Sequence, residues 1–369
     1  MADDPESSLP LAPAGPNVLL VVDDESLERF GAIPRHIVVG LADAAVRVTV
    51  LARTARPPSA LELGPCVVAH DPPRWMEFRP SLPEAVQELV RDERIDAVHC
   101  LSVALLERML GCSELGRIPF AAHITDADDL CRWETIAASR PLLWALPATP
   151  TLFKGVLDTK TVRSRYIRLV RLGVMGVPAG PILSKPDHIP SAMVVTPVSA
   201  ECGLSKVLHA MHLVAAAKSE ITLFVLGQGP AERGLRHLAQ ELGLQHTVVF
   251  VGALTQWSEA LQGCDMLIVP RTPARWSSHV LEAMAAGRLV LAPRDMQEED
   301  YLVDGQTACL FDPADPNDLA DKWRKLITDR QAAQEIAAAA RQFVKANNGP
   351  SVMATELIDF YSHAVAASA

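Results

Sequence analysis

Several residues of this 369-residue chain have types and spacings suited to a charged, hydroxyl-rich small molecule. Gly227-Gln228-Gly229-Pro230 follows an apolar run and precedes a helical pattern. A glycine turn there lets backbone N–H groups face a diphosphate at a helix N-terminus. It equally suits a tight strand-to-helix turn that holds no ligand. Glu282 lies in a short helix, Leu281-Glu-Ala-Met-Ala-Ala-Gly287. Its carboxylate could accept two hydrogen bonds from a vicinal diol, or simply complement the helix dipole. His123 ends the run Ala121-Ala-His-Ile124. Its ring can donate or accept a hydrogen bond near neutral pH, or bond to backbone at a strand end. Arg35 and His36, behind the loop at Gly31, could meet a phosphate or an acceptor, or serve as plain helix-start residues. Arg271, Arg275 and Lys206 are cations that could reach a phosphate, or remain solvated. Asp126, Asp128 and Asp129 form an acidic cluster. A divalent ion wants several oxygen ligands and no further spaced acids supply them, so neither a metal nor any other cofactor is expected.

These residues fall at the ends of alternating strand-like and helix-like segments, the rhythm of α/β layers with mostly parallel sheets. Strands are expected at Asn17–Asp24, Val46–Ala52, Pro65–His70, Ile95–Cys100 and Pro119–Ile124, with helices from His36 to Asp43, Leu82–Arg91 and Val103–Leu110. Residues 176–192 hold four Pro and two Gly, which marks a linker. A second series follows it. Strands are expected at Ala192–Val198, in Ile221–Pro230 where a strand runs into a turn, and at Thr247–Gly252, Asp265–Pro270 and Leu289–Pro293. Helices are expected at Leu204–Ala217, Glu232–Leu242, around Glu282, Gln331–Ala346 and Val352–Val365, and the segments Ala308–Pro313 and Leu319–Ile327 close the domain. The division is then a disordered tail at 1–16, one domain at 17–175, the linker, a second domain at 193–346, and a terminal segment at 347–369. The length alone favours two domains.

The bulk properties exclude some functions. A net charge of −10 argues against non-specific nucleic-acid binding, which needs clustered Lys and Arg. No apolar run reaches the length of a membrane span. The first sixteen residues are acidic and Pro-rich, and lack the basic and apolar regions of a signal peptide. The seven cysteines are scattered, odd in number and free of any C-x-x-C. Reduced thiols in a cytoplasmic protein are the simplest reading, with no metal site.

Residues 221–330 resemble the C-terminal domain of family-4 glycosyltransferases, which have the GT-B fold. The resemblance rests on "TLFVLGQGPAERGLRHLAQELGLQHTVVFVGAL", "WSEALQGCDMLIVPR", "LEAMAAG" with "LVLA", and "VDGQTACLFDPADPNDLADKWRKLITD", in order and well spaced. More loosely, "FGAIPRHIVVGLADAAVRVTVLA", "IDAVHCLS", "AAHITDADDL" and "RLVRLGVM" are similar to N-terminal segments of the same family.

The resemblance implies two Rossmann-like domains facing across a cleft, with the last helix packing back on the first domain. It implies transfer of a hexose-type sugar from a nucleotide sugar, with retention, to an acceptor the sequence does not identify. His123, beside Thr125 and Asp126, would then face the donor sugar. Gly227, Gly229, Glu282, Arg271 and Arg275 would hold the donor, with Glu282 on the ribose. Gly31, Arg35 and His36 would lie on the acceptor or phosphate side. The chain departs from the family at three positions. Pro197 and Cys202 stand where the family places the Arg and Lys that clamp the diphosphate, and Ala274 replaces a Glu of the catalytic loop. Arg275-Trp276-Ser277-Ser278 replaces that loop's small residues, so Arg275 and Trp276 fill space otherwise open to the sugar. Removing one charge-stabilising donor costs about 2.7–4 kcal/mol in rate. All three missing groups serve one site. The alternative is therefore a non-catalytic relative that binds or scaffolds a protein partner, and a fold does not carry its chemistry with it.

Overall fold

The computed structural model describes residues 15–53, 67–70, 81–114, 117–137, 143–176, 180–185, 188–217, 220–252, 260–271, 276–296 and 299–367. Ala274, Arg275 and Cys66 lie outside the described residues, as do residues 1–14 of the tail.

Two six-stranded parallel sheets organise the chain. The first contains β1 (Asn17–Asp23), β2 (Arg47–Arg53), β3 (Val67–His70), β4 (Ala97–Cys100), β5 (Phe120–Ile124) and β6 (Leu143–Pro147), in the order β3-β2-β1-β4-β5-β6. The second contains β7 (Ser191–Val195), β8 (Thr222–Leu226), β9 (Val248–Gly252), β10 (Met266–Ile268), β11 (Leu289–Pro293) and β12 (Cys309–Phe311), in the order β12-β11-β10-β7-β8-β9. The inner strands are continuous apolar runs because helices cover both faces of such a sheet. Val18 to Val22 of β1, for example, are all fully buried. The order in which strands are added reverses once in each sheet, between the parallel neighbours β1 and β4 and between β7 and β10. Ligands of open α/β sheets bind outside the carboxyl ends of the strands at such reversals.

The connections follow from local signals. β1 runs directly into α1 (Asp24–Phe30), where the Asp23 side chain accepts from Ser26 N–H and Asp24 and Glu25 sit in the first turn. Gly31 ends that helix with φ +52°, and α2 (Ile33–Asp43) follows with Pro34 in its first turn. Next come α3 (Leu82–Asp92), started by a capping box between Ser81 and Glu84, and the short α4 (Val103–Glu107). α5 (Ala127–Ala137) and α6 (Pro150–Thr159) complete the first series. The second series has α7 (Leu204–Ala216), α8 (Glu232–Glu241), α9 (His279–Ala285), α10 (Pro316–Thr328) and α11 (Arg330–Asn347). α12 (Pro350–Ala366) then returns to the first sheet. Its buried stripe Met353, Leu357, Phe360, Tyr361 and Ala364 has helical spacing. It meets α2 and β4, closely enough that a Cβ at Gly40 would stand 2.7 Å from that of Ala354.

Four elements differ from the sequence expectation. α1 was subsumed in the end of the first strand. α5, β6 and α6 carry no assignment there, although Asp126 caps α5 and Thr149-Pro150 opens α6.

One hydrophobic cluster runs from β1, α2 and α12 through Trp276 and α9 into β10 and β11. Two further clusters fill the outer faces of the second and first sheets. The two halves therefore share a core where they meet.

Candidate active-site cleft

α1 projects over the carboxyl end of β1 and brings Arg29, Phe30 and Gly31 against the segment that follows β10. Arg29 is the centre of this contact. Its Nε donates to the Trp276 carbonyl at 3.1 Å, and its Nη2 donates to Thr125 Oγ1 at 3.0 Å and Asp126 Oδ2 at 2.9 Å. Trp276 N–H donates to the same Asp126 oxygen at 2.9 Å. Ser278 N–H donates to the Arg29 carbonyl at 2.8 Å. The Trp276 ring packs on Phe30 with centroids 5.5 Å apart, and its Nε1–H reaches Tyr301 Oη at 3.2 Å. Backbone and side chain of one half are thus bonded to the other across the cleft, and Trp276 is buried there.

Asp129 lies behind this contact, fully buried, with Oδ2 accepting from Thr125 Oγ1 at 2.7 Å and standing 3.5 Å from Arg29 Nη2. Burial and the Asp126 charge push its carboxyl above the usual aspartate range, while Arg29 and Thr125 oppose the rise. The acidic cluster is otherwise used locally: Asp126 Oδ1 caps Asp129 N–H, and Asp128 pairs with Arg132 at 3.0 Å. Among the described residues no group of His, Cys, Asp and Glu is arranged to hold a metal ion.

Glu282 sits directly under Gly31. Ser278 Oγ–H donates to its Oε1 at 2.7 Å, and a Cβ on Gly31 would stand 2.7 Å from that oxygen. Burial pushes the Glu282 carboxyl up to about 7, with the Ser278 hydroxyl opposing. The sequence-predicted Gly31 and Glu282 are therefore brought together, one from each half. As they stand, Glu282 spends its hydrogen bond on its own helix.

The other predicted residues have different surroundings. His123 is fully buried on β5 rather than on an open wall. Its ring lies 4.9 Å from that of His99, whose Nδ1 is 2.6 Å from Tyr361 Oη. Both ring nitrogens of His123 lack a hydrogen-bond partner of good geometry. Burial pushes His123 down to about 4 and His99 well below the usual histidine value, so both are neutral near pH 7. His36 is also buried, with Nδ1 held 3.1 Å from the Gly173 carbonyl, and Arg35 beside it faces solvent. This places His36 in the packing between α2 and the chain leaving the first half.

Gly227 and Gly229 are explained by close backbone packing. A Cβ on Gly227 would fall 1.9 Å from the Thr196 carbonyl oxygen, and one on Gly229 2.2 Å from that of Val198. The turn's Gly227 N–H already donates to the Gly252 carbonyl at 2.9 Å. Pro197 is exposed and Cys202 buried. Beside them Arg271 Nη1 donates to the Glu201 carbonyl at 2.6 Å, and Lys206 Nζ donates to that of Pro313 at 2.8 Å. Both cations line a cavity of about 360 Å³ next to the N-terminus of α7.

Residues 184–343 match the family described as Glycosyl transferases group 1. That match lies in the second half of the chain and covers less than half of it. A stretch of 147 residues is 31% identical to a sulfoquinovosyl transferase of Arabidopsis thaliana, covering 38% of this chain and 28% of that protein. A stretch of 163 residues is 25% identical to an uncharacterised glycosyltransferase of Bacillus subtilis, covering 44% and 45%. The chain thus spans less than half the length of these curated relatives. The fold likeness extends further. A sucrose-phosphate synthase of Thermosynechococcus elongatus superposes with TM-score 0.72 at 16% identity, over 95% of this chain and 100% of that one. The Anabaena protein HepE, solved with UDP-glucose, superposes with TM-score 0.69 at 14% identity, over 94% and 99%. The matched region forms one of two Rossmann-like halves, and the architecture is GT-B. No helix of the described residues is long and apolar enough to cross a membrane.

Arg29, Ser278, His99 and Tyr301 escape sequence reasoning. Arg29 meets Thr125 and Trp276, which lie 96 and 247 residues away, and no local pattern reports such a pairing. The oddity that could have pointed to it is the bulky Trp276, set where the related family keeps small residues.

Proposed function

We propose that this chain is a group 1 glycosyltransferase relative that does not transfer sugar and acts as a binding or scaffold partner of another protein. The observation that carries this reading is the bonded contact of Arg29 and Asp126 with Trp276. It fills the mouth of the cleft with the chain's own groups, at the segment the sequence resemblance assigns to the donor sugar. Three features support it. Pro197 and Cys202 bring no positive charge to the diphosphate. Burial holds the Glu282 carboxyl near 7, so it is only partly ionised at that pH, and Ser278 bonds to it. His123 is neutral and covered. Preorganised charge aimed at the leaving group supplies much of the rate in such transfers, and these residues do not provide it.

A second reading has one observation in its favour. Lys206 and Arg271 line a cavity beside the positions of the missing clamp, and two cations there could hold the diphosphate of a nucleotide sugar in a rebuilt hexosyl donor site.

Thermal unfolding with millimolar UDP, GDP, ADP and their sugar conjugates separates the two. A ligand at about 100 times its dissociation constant adds about 2.7 kcal/mol to the native state. The first reading expects no shift in midpoint and no release of nucleoside diphosphate. A clear shift with one nucleotide, lost in Lys206→Gln, would overturn it in favour of the second.

A further inference from the structure

The chain crosses between its halves twice, and the two crossings are bonded to each other. Val174 N–H donates to the Asn348 carbonyl at 2.8 Å, and Asn348 Nδ2 donates to that of Leu172 at 3.1 Å. At Gly173 a Cβ would stand 2.9 Å from the Gly349 carbonyl oxygen, and at Gly176 one would stand 2.1 Å from that of Ala285. The first crossing is thus wedged between the second crossing and the end of α9.

A cavity of about 260 Å³ opens at this junction. Val174, Val344 and Pro350 give it apolar walls, and Ala285 of the second half closes one side. Arg341 and Lys345, one turn apart on α11, are its charged lining residues. Neither makes a hydrogen bond or ion pair with another described residue, and no carboxylate is among the described lining residues. The Arg341 charge is felt by buried Arg288 close by, which it disfavours. The local positive charge is therefore uncompensated in a chain of net charge −10.

We infer that this junction cavity is a binding site for a small organic anion, a phosphate or carboxylate ester-sized compound with a short apolar body. Two cations at i and i+4 can share one anionic group, and charge-assisted hydrogen bonds from Arg and Lys are the strong kind. The apolar walls take the carbon body, and the volume admits a compact molecule only. The walls come from both crossings and from α9, so the cavity keeps its shape only while the halves keep their present angle. An anion held there binds the closed arrangement better than any opened one and shifts the population towards it. The site stands apart from the cleft and does not depend on whether a donor binds.

The test is titration calorimetry on the full chain, without nucleotide, using inorganic phosphate, phenyl phosphate and butyrate as probes. At least one gives saturable one-to-one binding, with phenyl phosphate tighter than inorganic phosphate. Arg341→Gln and Lys345→Gln, both at exposed side chains, each weaken it at least tenfold. Lys154→Gln/Lys160→Gln, an exposed pair elsewhere, leaves it unchanged, as does Lys206→Gln. The inference is overturned if no probe saturates or if the two α11 variants bind within twofold of the parent. Equal loss in the Lys154/Lys160 control would overturn it as general charge attraction. Loss in Lys206→Gln would assign the binding to the cleft cavity instead.

Discussion

Replacing Arg29 with Ala tests whether the contact across the cleft carries load. The guanidinium makes three hydrogen bonds of 2.9–3.1 Å, to the Trp276 carbonyl, Thr125 and Asp126. The Arg29 and Asp126 side chains are only 8% and 13% exposed. Truncating one member of such a pair leaves the other charge buried and costs about 3–5 kcal/mol. The loss depends on pH in a definite direction. Asp129 already titrates above its ordinary range, and Arg29 is one of the two groups holding it down. Without Arg29 it rises further. A carboxyl with a raised folded pKa binds a proton that the unfolded chain releases above about pH 3.9. Stability therefore falls as pH rises through the window between those two values. The deficit of Arg29→Ala is smallest near pH 4 and largest near pH 8. Scanning calorimetry at both pH values checks this. At about 2–4 °C per kcal/mol for a domain of this size, the midpoint falls by at least about 6 °C at pH 8. A deficit below about 1 kcal/mol with no pH trend would refute the reasoning, because the bonds across the cleft would then carry nothing.

Three further predictions follow from the same geometry. Glu282→Gln leaves stability unchanged at pH 5 and raises it by about 2–3 kcal/mol at pH 8, since the parent must ionise a carboxyl that burial holds near 7 and each unit is worth about 1.4 kcal/mol; urea unfolding at the two pH values reads it. Gly31→Ala destabilises by about 1–3 kcal/mol, because φ is +52° and the new Cβ meets Glu282 and Ser278 at 2.7 and 2.9 Å; a midpoint equal to the parent's would mean that the loop moves freely. His123 titrates at about 4 in the folded chain, so the unfolded chain binds more protons between about pH 6.5 and 4. Stability then drops as pH falls through that window, and in His123→Phe the drop is shallower by about 3 kcal/mol, measured by acid unfolding.

The second half was legible because its strands are apolar runs between glycine turns and its helices have clean 3.6-residue stripes. Leu204–Ala216 and Pro350–Ala366 lie within a residue or two of the expected segments. In the first half, α1 was hidden because Asp23-Asp24-Glu25 looks like the acidic end of a strand. The same three residues are a helix cap and an acidic first turn. Thr149-Pro150 and Asp126 were helix starts of the same kind, passed over because the apolar run at Leu143–Pro147 between them is short. The cleft was half legible. Glu282 and Gly31 were identified singly, but nothing along the chain shows that one lies under the other. The glycine turn shows that one motif can answer to more than one cause. Gly227 and Gly229 are demanded by the carbonyls of Thr196 and Val198, so phosphate need not be invoked for them. His123 stands at a strand end, and its ring neighbour His99 is met by Tyr361, more than two hundred residues later.

The last helix has a consequence for how the protein is made. β1, β4 and α2 lie near the start of the chain, yet the layer that closes over His99 and Trp144 is supplied by Phe360 and Tyr361. On the ribosome, the half synthesised first must wait with an apolar face uncovered. The half synthesised second already holds its own strands and helices when residues 350–366 emerge. Such long-range closure is slow and leaves sticky surface in the interim. Nascent chains stalled before Pro350 should thus carry a protease-resistant second half and a sensitive first half, the reverse of the order of synthesis.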